Sequence, residues 1–368
     1  MKRIKVLHIV TGINGGGVGK LLLDYTKGID NNLFQIDFMP IENNIDKQFL
    51  HDDLIKLGCE IVYMPKNYLF RFLFIFKFLW NNKYDIVHSH IELPSCIYLF
   101  ISKLCGVKIR IAHAHMAFLL YDNFVHKIMR IVLNLVCTDR WGCSQDALLC
   151  LFGNKFAHYG FVLKNAINYE EFIFQSNVRE KMRRKLNVSS NFVVGSVARF
   201  TYQKFPEFLI YTFADIVKLQ PDAILILVGS GELEQKIKEL VSELGLDKYV
   251  LFLGLRKDIS NLMQAFDVFV MPSRYEGLGI VLVEAQASSL PSFTSNKVPK
   301  EVLFSDFIYS LPLEIGCSKW AEFILEKYPC HSRYNASDWI IKNGYDLPSI
   351  VNSMSYRYSS NLKIIYKH

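Results

Sequence analysis

The sequence contains no run of 18 or more consecutive apolar residues, so no segment is long enough to cross a bilayer as a helix. It contains no C-x-x-C pair. The eight cysteines (59, 96, 105, 137, 143, 150, 317 and 330) are scattered, most of them inside apolar runs. That excludes a disulfide or zinc framework and fits reduced core thiols of a cytoplasmic protein. No D-x-D occurs, which argues against an acidic metal clamp. There is no tandem repeat and no low-complexity tract. Charge is sparse at 21%, whereas apolar residues make up 51%, so the chain is not disordered and can bury sizeable cores. The N-terminus, MKRIKVLHIVTGINGGG, has a basic start, but its apolar run is only VLHIV, contains His8 and flows into a glycine turn. It reads as a first buried strand and not as a signal peptide.

What is present is a repeated alternation. At 368 residues the chain is long enough for two domains. Short runs rich in Val, Ile and Phe alternate with amphipathic stretches. In the first half these runs are KVLHIV, QIDFMPI, EIVYMP, DIVHSH, IRIAHAH, WGCS and GFVLKN. In the second half they are FVVGSVAR, AILILVG, VLFLG, VFVMPS and PSFTS. Near-continuous apolar strands separated by helices predict parallel sheets covered on both faces. The polar stretch 170–191 separates the two sets. The chain therefore reads as two doubly wound α/β domains joined near there. Ligands of such sheets bind at the carboxyl ends of the strands, and with two domains the expected active site is the cleft between them.

That rule selects the loops. RYEGLGIVLVE follows VFVMPS and opens a helix. Gly277 and Gly279 let backbone N–H groups face an anion. Glu276 stands at the turn, and Glu284 lies in apolar surroundings where a carboxylate needs a partner. Two carboxylates suit hydroxyl groups on a molecule that also carries phosphate, such as a nucleotide sugar. Arg199 and Lys204 in VARFTYQK lie five residues apart and suit a diphosphate; two solvated loop cations are the plainer alternative. Gly229 and Gly231 in VGSGELEQ, and Gly254 with Arg256, Lys257 and Asp258, form two further carboxyl-end loops. The second suits a nucleobase. TGINGGGVGK follows the first strand, but Asn14 and Leu21 break a P-loop and Lys20 breaks a dinucleotide fingerprint. HSH (88–90) and HAH (113–115) end two strands. With no Cys or carboxylate to complete a site, and with the strands separate, they do not read as a metal centre. His115 is the better candidate for hydrogen bonding to a sugar.

Residues 66–140 hold ten Lys/Arg against four Asp/Glu, which is most of the net charge of +7. Within them, YLFRFLFIFKFLW (68–80) carries only Arg71 and Lys77 as charges. Two readings stand: a core-facing helix with snorkelling cations, or a segment lying on an anionic membrane surface. The basic residues are diffuse and no recognition motif accompanies them, so nucleic-acid binding is not expected.

EGLGIVLVE with its E-x7-E pair, ARFTYQK, VGSGELE, LFLGLRKDI and VLKNAINYEEF resemble the retaining glycosyltransferases of family 4, most closely bacterial enzymes of exopolysaccharide and capsule assembly. The resemblance implies the GT-B fold, two Rossmann-like doubly wound domains facing a central cleft. These would be an acceptor-side domain over 1–170, joined by a returning C-terminal helix at 350–368, and a nucleotide-sugar domain over 171–349. It implies that Arg199 and Lys204 hold the donor diphosphate and that Glu284 accepts from the ribose. Glu276 would contact sugar hydroxyls beside backbone groups of Gly277, Leu278, Gly279 and Ile280. Gly16 and Gly17 would approach the diphosphate, Gly229, Gly254 and Arg256 would line the donor site, and His115 would lie against the donor sugar. Departures fall at Gly19, Met116, Ala166 and Phe205. The implied reaction is retaining transfer from a nucleotide sugar, with UDP the expected base, to a saccharide or lipid-linked saccharide. It needs no cofactor and no metal. The protein is expected in the cytoplasm, with the inner face of the cytoplasmic membrane as the second reading that segment 68–80 leaves open. An epimerase on the same fold and a non-catalytic subunit of a polysaccharide assembly are the alternatives.

Overall fold

The computed structural model describes residues 3–13, 17–42, 48–116 and 123–366. The chain forms two compact units. The first comprises Met1–Ala166 with Leu347–His368, and the second Ile167–Asp346.

The first unit is built on six parallel strands: β1 (Ile4–Val10), β2 (Phe34–Pro40), β3 (Ile86–Ser89), β4 (Ile109–Ala114), β5 (Asp139–Gly142) and β6 (Phe161–Val162). Their order is β2-β1-β3-β4-β5-β6. Strand periodicity of two divides each apolar run between two cores. Leu7, Ile9, Val87, Ala112 and Ala114 enter one core, with Leu79, Leu99 and Leu133 from helices. Val6, Val10, Ile86, Ile109 and Ile111 enter the other. Helix Leu347–Tyr366 returns to that second face and buries Val351, Met354, Tyr358 and Leu362, the i, i+3, i+7, i+11 stripe of an amphipathic helix. Arg357 donates to both carboxylate oxygens of Asp139 at 2.9 Å, and Asn361 donates to one of them at 2.6 Å.

The second unit also has six parallel strands: β7 (Val193–Val197), β8 (Ile224–Val228), β9 (Val250–Phe252), β10 (Val268–Met271), β11 (Ser292–Ser295) and β12 (Ile308–Leu311), in the order β12-β11-β10-β7-β8-β9. In both sheets the order of strand addition therefore reverses once, between β1 and β3 in the first unit and between β7 and β10 in the second.

Two strand expectations need correction. EIVYMP is not a strand; it makes a single bridge, Ile61 to Phe38. The backbone N–H of Glu60 turns to the Asp37 carboxylate at 2.9 Å, and Pro65 has no N–H to continue a ladder. Conversely, β12 escaped notice because IYSL is a half-exposed edge strand without a continuous apolar run.

Candidate functional site

In the second unit, four loops leave the carboxyl ends of the adjacent strands β10, β7, β8 and β9. They carry 272–279, 198–205, 229–233 and 253–258. The strand order reverses between β7 and β10, the place where open α/β sheets bind ligands. A charge pair spans that reversal. Lys204 Nζ, after β7, lies 2.6 Å from Glu276 Oε1, after β10. The Glu276 side chain is 4% exposed and that of Lys204 18%, so the pair is largely withdrawn from water. Gln203 Nε2 donates to the other Glu276 oxygen at 3.3 Å and to the Tyr275 carbonyl at 3.1 Å.

Arg274 and Tyr202, which the sequence reading did not single out, complete this arrangement with Phe205. The backbone N–H of Arg274 donates to the Gln203 carbonyl at 2.8 Å. Its guanidinium lies over the Phe205 ring, 3.3 Å from the centroid, and 4.3 Å from that of Tyr202. Phe205 adopts a left-handed φ of 50° immediately before Pro206, which starts helix Pro206–Leu219. The Phe205 ring thus serves as the platform for Arg274. An arginine and an aromatic flanking the two motifs were the available signal.

Glu284 lies in helix Ile280–Ala287, which follows Gly279 in the left-handed conformation (φ 80°). Every residue of that helix is buried except Ile280 and Glu284, which stand one turn apart on its half-buried face. Leu278 is buried, and Gly277 is half-buried.

In the first unit, five histidines meet on one face of the sheet: His8 from β1, His88 from β3 with His90 after it, and His113 from β4 with His115 after it. All five are buried. Neighbouring rings stack, His88 on His90 and His113 on His115, each pair with centroids 4.2 Å apart. Burial lowers every one of their pKa values from the usual 6.5, His8 to about 3 and His115 to about 4. For His88, His90 and His113 the neighbouring imidazoles push further in the same direction. The cluster is therefore neutral at pH 7. The backbone N–H of His115 donates to Glu92 Oε1 at 2.8 Å.

Residues 178–306 match the family described as Glycosyl transferases group 1. A Bacillus subtilis protein named as a glycosyltransferase, EpsF, is 30% identical over 334 residues, covering 87% of this chain and 86% of its own. The chain belongs to the group 1 glycosyl transferases. This glycosyl transferase is also 27% identical over 311 residues to the Escherichia coli UDP-Gal:alpha-D-GlcNAc-diphosphoundecaprenol alpha-1,3-galactosyltransferase, across 80% of each chain. Its fold is GT-B. Anabaena HepE, solved in complex with UDP-glucose, aligns with a TM-score of 0.80 at 20% identity, over 97% of this chain and 100% of that one.

The other expected donor residues of the glycosyl transferase have these positions. Arg199 is exposed, and no hydrogen bond to its guanidinium is formed among the described residues. Arg256 is held locally by Asp258, through bonds of 2.8 and 2.6 Å. Gly17 is exposed at the start of helix Gly17–Gly28, and Gly16 lies outside the described residues. Gly254 (φ 62°) accepts the backbone N–H of Gly229 at 2.9 Å, tying the β8 and β9 loops together. Gly229 has φ 135°, and a Cβ there would stand 1.9 Å from the Ala198 carbonyl oxygen, at the start of the Arg199–Lys204 loop. Gly229→Ala is thus expected to cost at least about 2 kcal/mol and to lower the melting temperature. A melting temperature equal to wild type would show that the loops are not so tightly joined.

The histidine strands, separate in the sequence reading, are brought together. His8, His88 and His90, and likewise His90, His113 and His115, each place one nitrogen within 4.8 Å of the others. That is a spacing a metal could use. The rings, however, are already hydrogen-bonded to one another in part (His8 to His90 and His90 to His115, both 2.9 Å), so a metal would have to displace those bonds.

Proposed function

We propose that the protein is a retaining glycosyltransferase of family 4. It would move a sugar from a nucleotide-sugar donor, a UDP-sugar, to a hydroxyl of a lipid-linked saccharide during exopolysaccharide or capsule assembly. The observation that carries this is the Lys204–Glu276 pair across the strand-order reversal of the second sheet. A cation and a carboxylate held together there match the two ends of the reacting bond: diphosphate on one side, sugar hydroxyls on the other. The donor named for the E. coli relative and the UDP-glucose bound by HepE support a UDP-sugar; the acceptor named for that relative supports a lipid diphosphate-linked sugar.

In this reading Lys204 and Arg199 neutralise the charge that grows on the leaving diphosphate. Glu276 and the backbone of 277–280 orient the sugar, and Glu284 accepts from the ribose. The bond between the anomeric carbon and the diphosphate oxygen breaks on the face where the acceptor oxygen bonds. The acceptor proton passes to the departing phosphate, so no protein nucleophile and no metal are needed. A screen of nucleotide sugars for heat stabilisation tests the site. One donor should stabilise the wild type and fail to stabilise Glu284→Ala; stabilisation by no nucleotide sugar would favour a non-catalytic subunit. With that donor and an acceptor, turnover in EDTA should persist. Proton NMR of the product should show the donor's anomeric configuration, and an inverted anomer would remove the retaining assignment.

The membrane part of the proposal rests on three helices of the first unit: Tyr68–Asn82, Ser95–Leu104 and Phe124–Val136. The middle one packs on the other two. Each buries one stripe and leaves large apolar side chains in water, among them Leu73, Trp80, Phe100, Phe124 and Leu135. Lys77, Lys103 and Lys127 are exposed on the same helices. Exposed apolar side chains interleaved with lysines suit an anionic lipid surface. Among the described residues no helix is long and apolar enough to cross a membrane. The protein should float with anionic liposomes, and Leu73→Asp with Leu135→Asp should abolish flotation; a wild type that stays in solution would end this part.

A further inference from the structure

Two hydrogen-bonded chains of rings run through the histidine cluster. In one, His115 Nε2 meets His90 Nδ1 at 2.9 Å, and His90 Nε2 meets His8 Nδ1 at 2.9 Å. In the other, His113 Nδ1 meets His88 Nε2 at 3.2 Å, and His88 Nδ1 meets the Tyr358 hydroxyl at 2.7 Å. The chains converge because β1, β3 and β4 are neighbours, with His8 opposite His88 in register and residues two apart sharing a face.

A bond between two imidazoles needs one N–H and one bare nitrogen, and a neutral ring has one of each. The direction of donation therefore propagates. If His115 Nε2–H donates to His90, then His90 Nε2–H donates to His8, and all three rings are Nε2–H tautomers. If the direction is reversed, all three are Nδ1–H tautomers. Mixed tautomers break a buried hydrogen bond. The nitrogen left over in His115 is Nδ1, which is buried and has no partner among the described residues. A buried N–H without an acceptor is the rarer and costlier defect, so the bare form of that nitrogen is favoured.

We propose that His90 and His8 are positioning residues that lock His115 in the Nε2–H tautomer, leaving its Nδ1 bare as an acceptor for a hydroxyl of the donor sugar. Glu92 supports the same end. It takes a left-handed φ of 55° after β3, and its carboxylate accepts the His115 backbone N–H, which fixes the chain from which the ring projects. The His90 ring contributes direction and not charge, since burial keeps the cluster neutral. The assignment of the acceptor nitrogen rests on the proposed function and on His115 lying against the donor sugar, as the family resemblance implies; the tautomer lock does not.

The test is two-bond nitrogen–proton correlation NMR on the full chain with 15N-labelled histidine, with signals assigned by single substitutions. In the ligand-free wild type, His8, His90 and His115 should all be Nε2–H tautomers. A discordant tautomer in any of the three overturns the lock without recourse to a variant. In His90→Leu, His115 should populate both tautomers, whereas in His90→Gln, whose amide can accept and donate, it should return to one. An unchanged His115 in His90→Leu also overturns the proposal. In turnover, His90→Leu should lower kcat by about tenfold or more, with the KM for the nucleotide sugar moved less, and His90→Gln should recover part of it. If the lock holds but His115→Ala leaves donor binding and kcat intact, the placement of His115 against the sugar fails and the lock survives.

Discussion

Lys204→Met should lower kcat/KM by about two to three orders of magnitude and destabilise the second unit at the same time. The two losses have different causes. In the proposed mechanism the catalytic loss is that of a cation aimed at developing diphosphate charge, a class of contact worth about 10²–10³ in rate. The stability loss comes from Glu276, whose carboxylate would stay buried with Gln203 at 3.3 Å as its one remaining side-chain donor among the described residues. Breaking a buried ion pair on one side costs about 3–5 kcal/mol, whereas replacing both partners by neutral groups can cost little. Lys204→Met combined with Glu276→Gln should therefore recover much of the melting temperature while turnover stays low. If the double variant recovered turnover along with stability, the pair would be structural and the diphosphate role of Lys204 would fall. The cycle also tests whether the pair preorganises the site. If it does, Glu276→Gln alone should weaken donor binding less than Lys204→Met.

Acidification should open the first unit while the second persists. The histidine cluster sets the sign. In the folded chain His8 titrates near 3 and His115 near 4, and burial holds the other three below the usual value as well. In the unfolded chain each titrates near 6.5. Because the folded values are depressed, the unfolded state binds more protons below that point. The stabilisation from keeping these rings neutral is complete above about pH 6.5 and is lost as the pH falls toward the folded values. Each such ring contributes about 1.4 kcal/mol per pH unit within the window. Burial raises the Glu92 carboxyl to about 7, which offsets roughly one ring, so about four act together; with domains stable by about 5–15 kcal/mol, one to two pH units below 6.5 should suffice. The second unit has a single histidine, His331. Hydrogen exchange measured from pH 7.5 to 4.5 should show protection lost first across β1, β3 and β4. Equal protection in both units down to pH 4.5 would contradict the neutral cluster. His113→Gln should reduce the steepness by about one proton.

Much of this was legible in the chain. Most of the strand runs, the loops that follow them and the E-x7-E stretch could be placed because parallel strands buried on both faces leave continuous apolar runs, and because glycines mark the turns. Strand neighbours leave no such trace. Lys204 and Glu276 were each readable as donor-site residues, but their contact depends on β10 lying beside β7, which follows from tertiary packing. The same holds for the histidines: HSH and HAH looked like separate strand ends, and only the β1-β3-β4 order makes them one cluster with His8. In YLFRFLFIFKFLW almost every position is apolar, so no periodicity shows which face is buried; packing selects Ile75 and Leu79 and leaves Leu73 and Trp80 outside.

The return of helix Leu347–Tyr366 to the first sheet has a consequence for biosynthesis. The second unit is, in chain order, an insertion within the first. As the polypeptide emerges from the ribosome, the six strands of the first sheet appear early, yet one face lacks its cover until the whole second unit has been made. During that interval Asp139 has neither Arg357 nor Asn361, and His88 has no tyrosyl hydroxyl to bond. The second unit, whose residues are contiguous, has everything it needs as soon as Asp346 is free. Maturation in the cell thus ends with the part of the chain that was begun first, and the histidine face is sealed last of all.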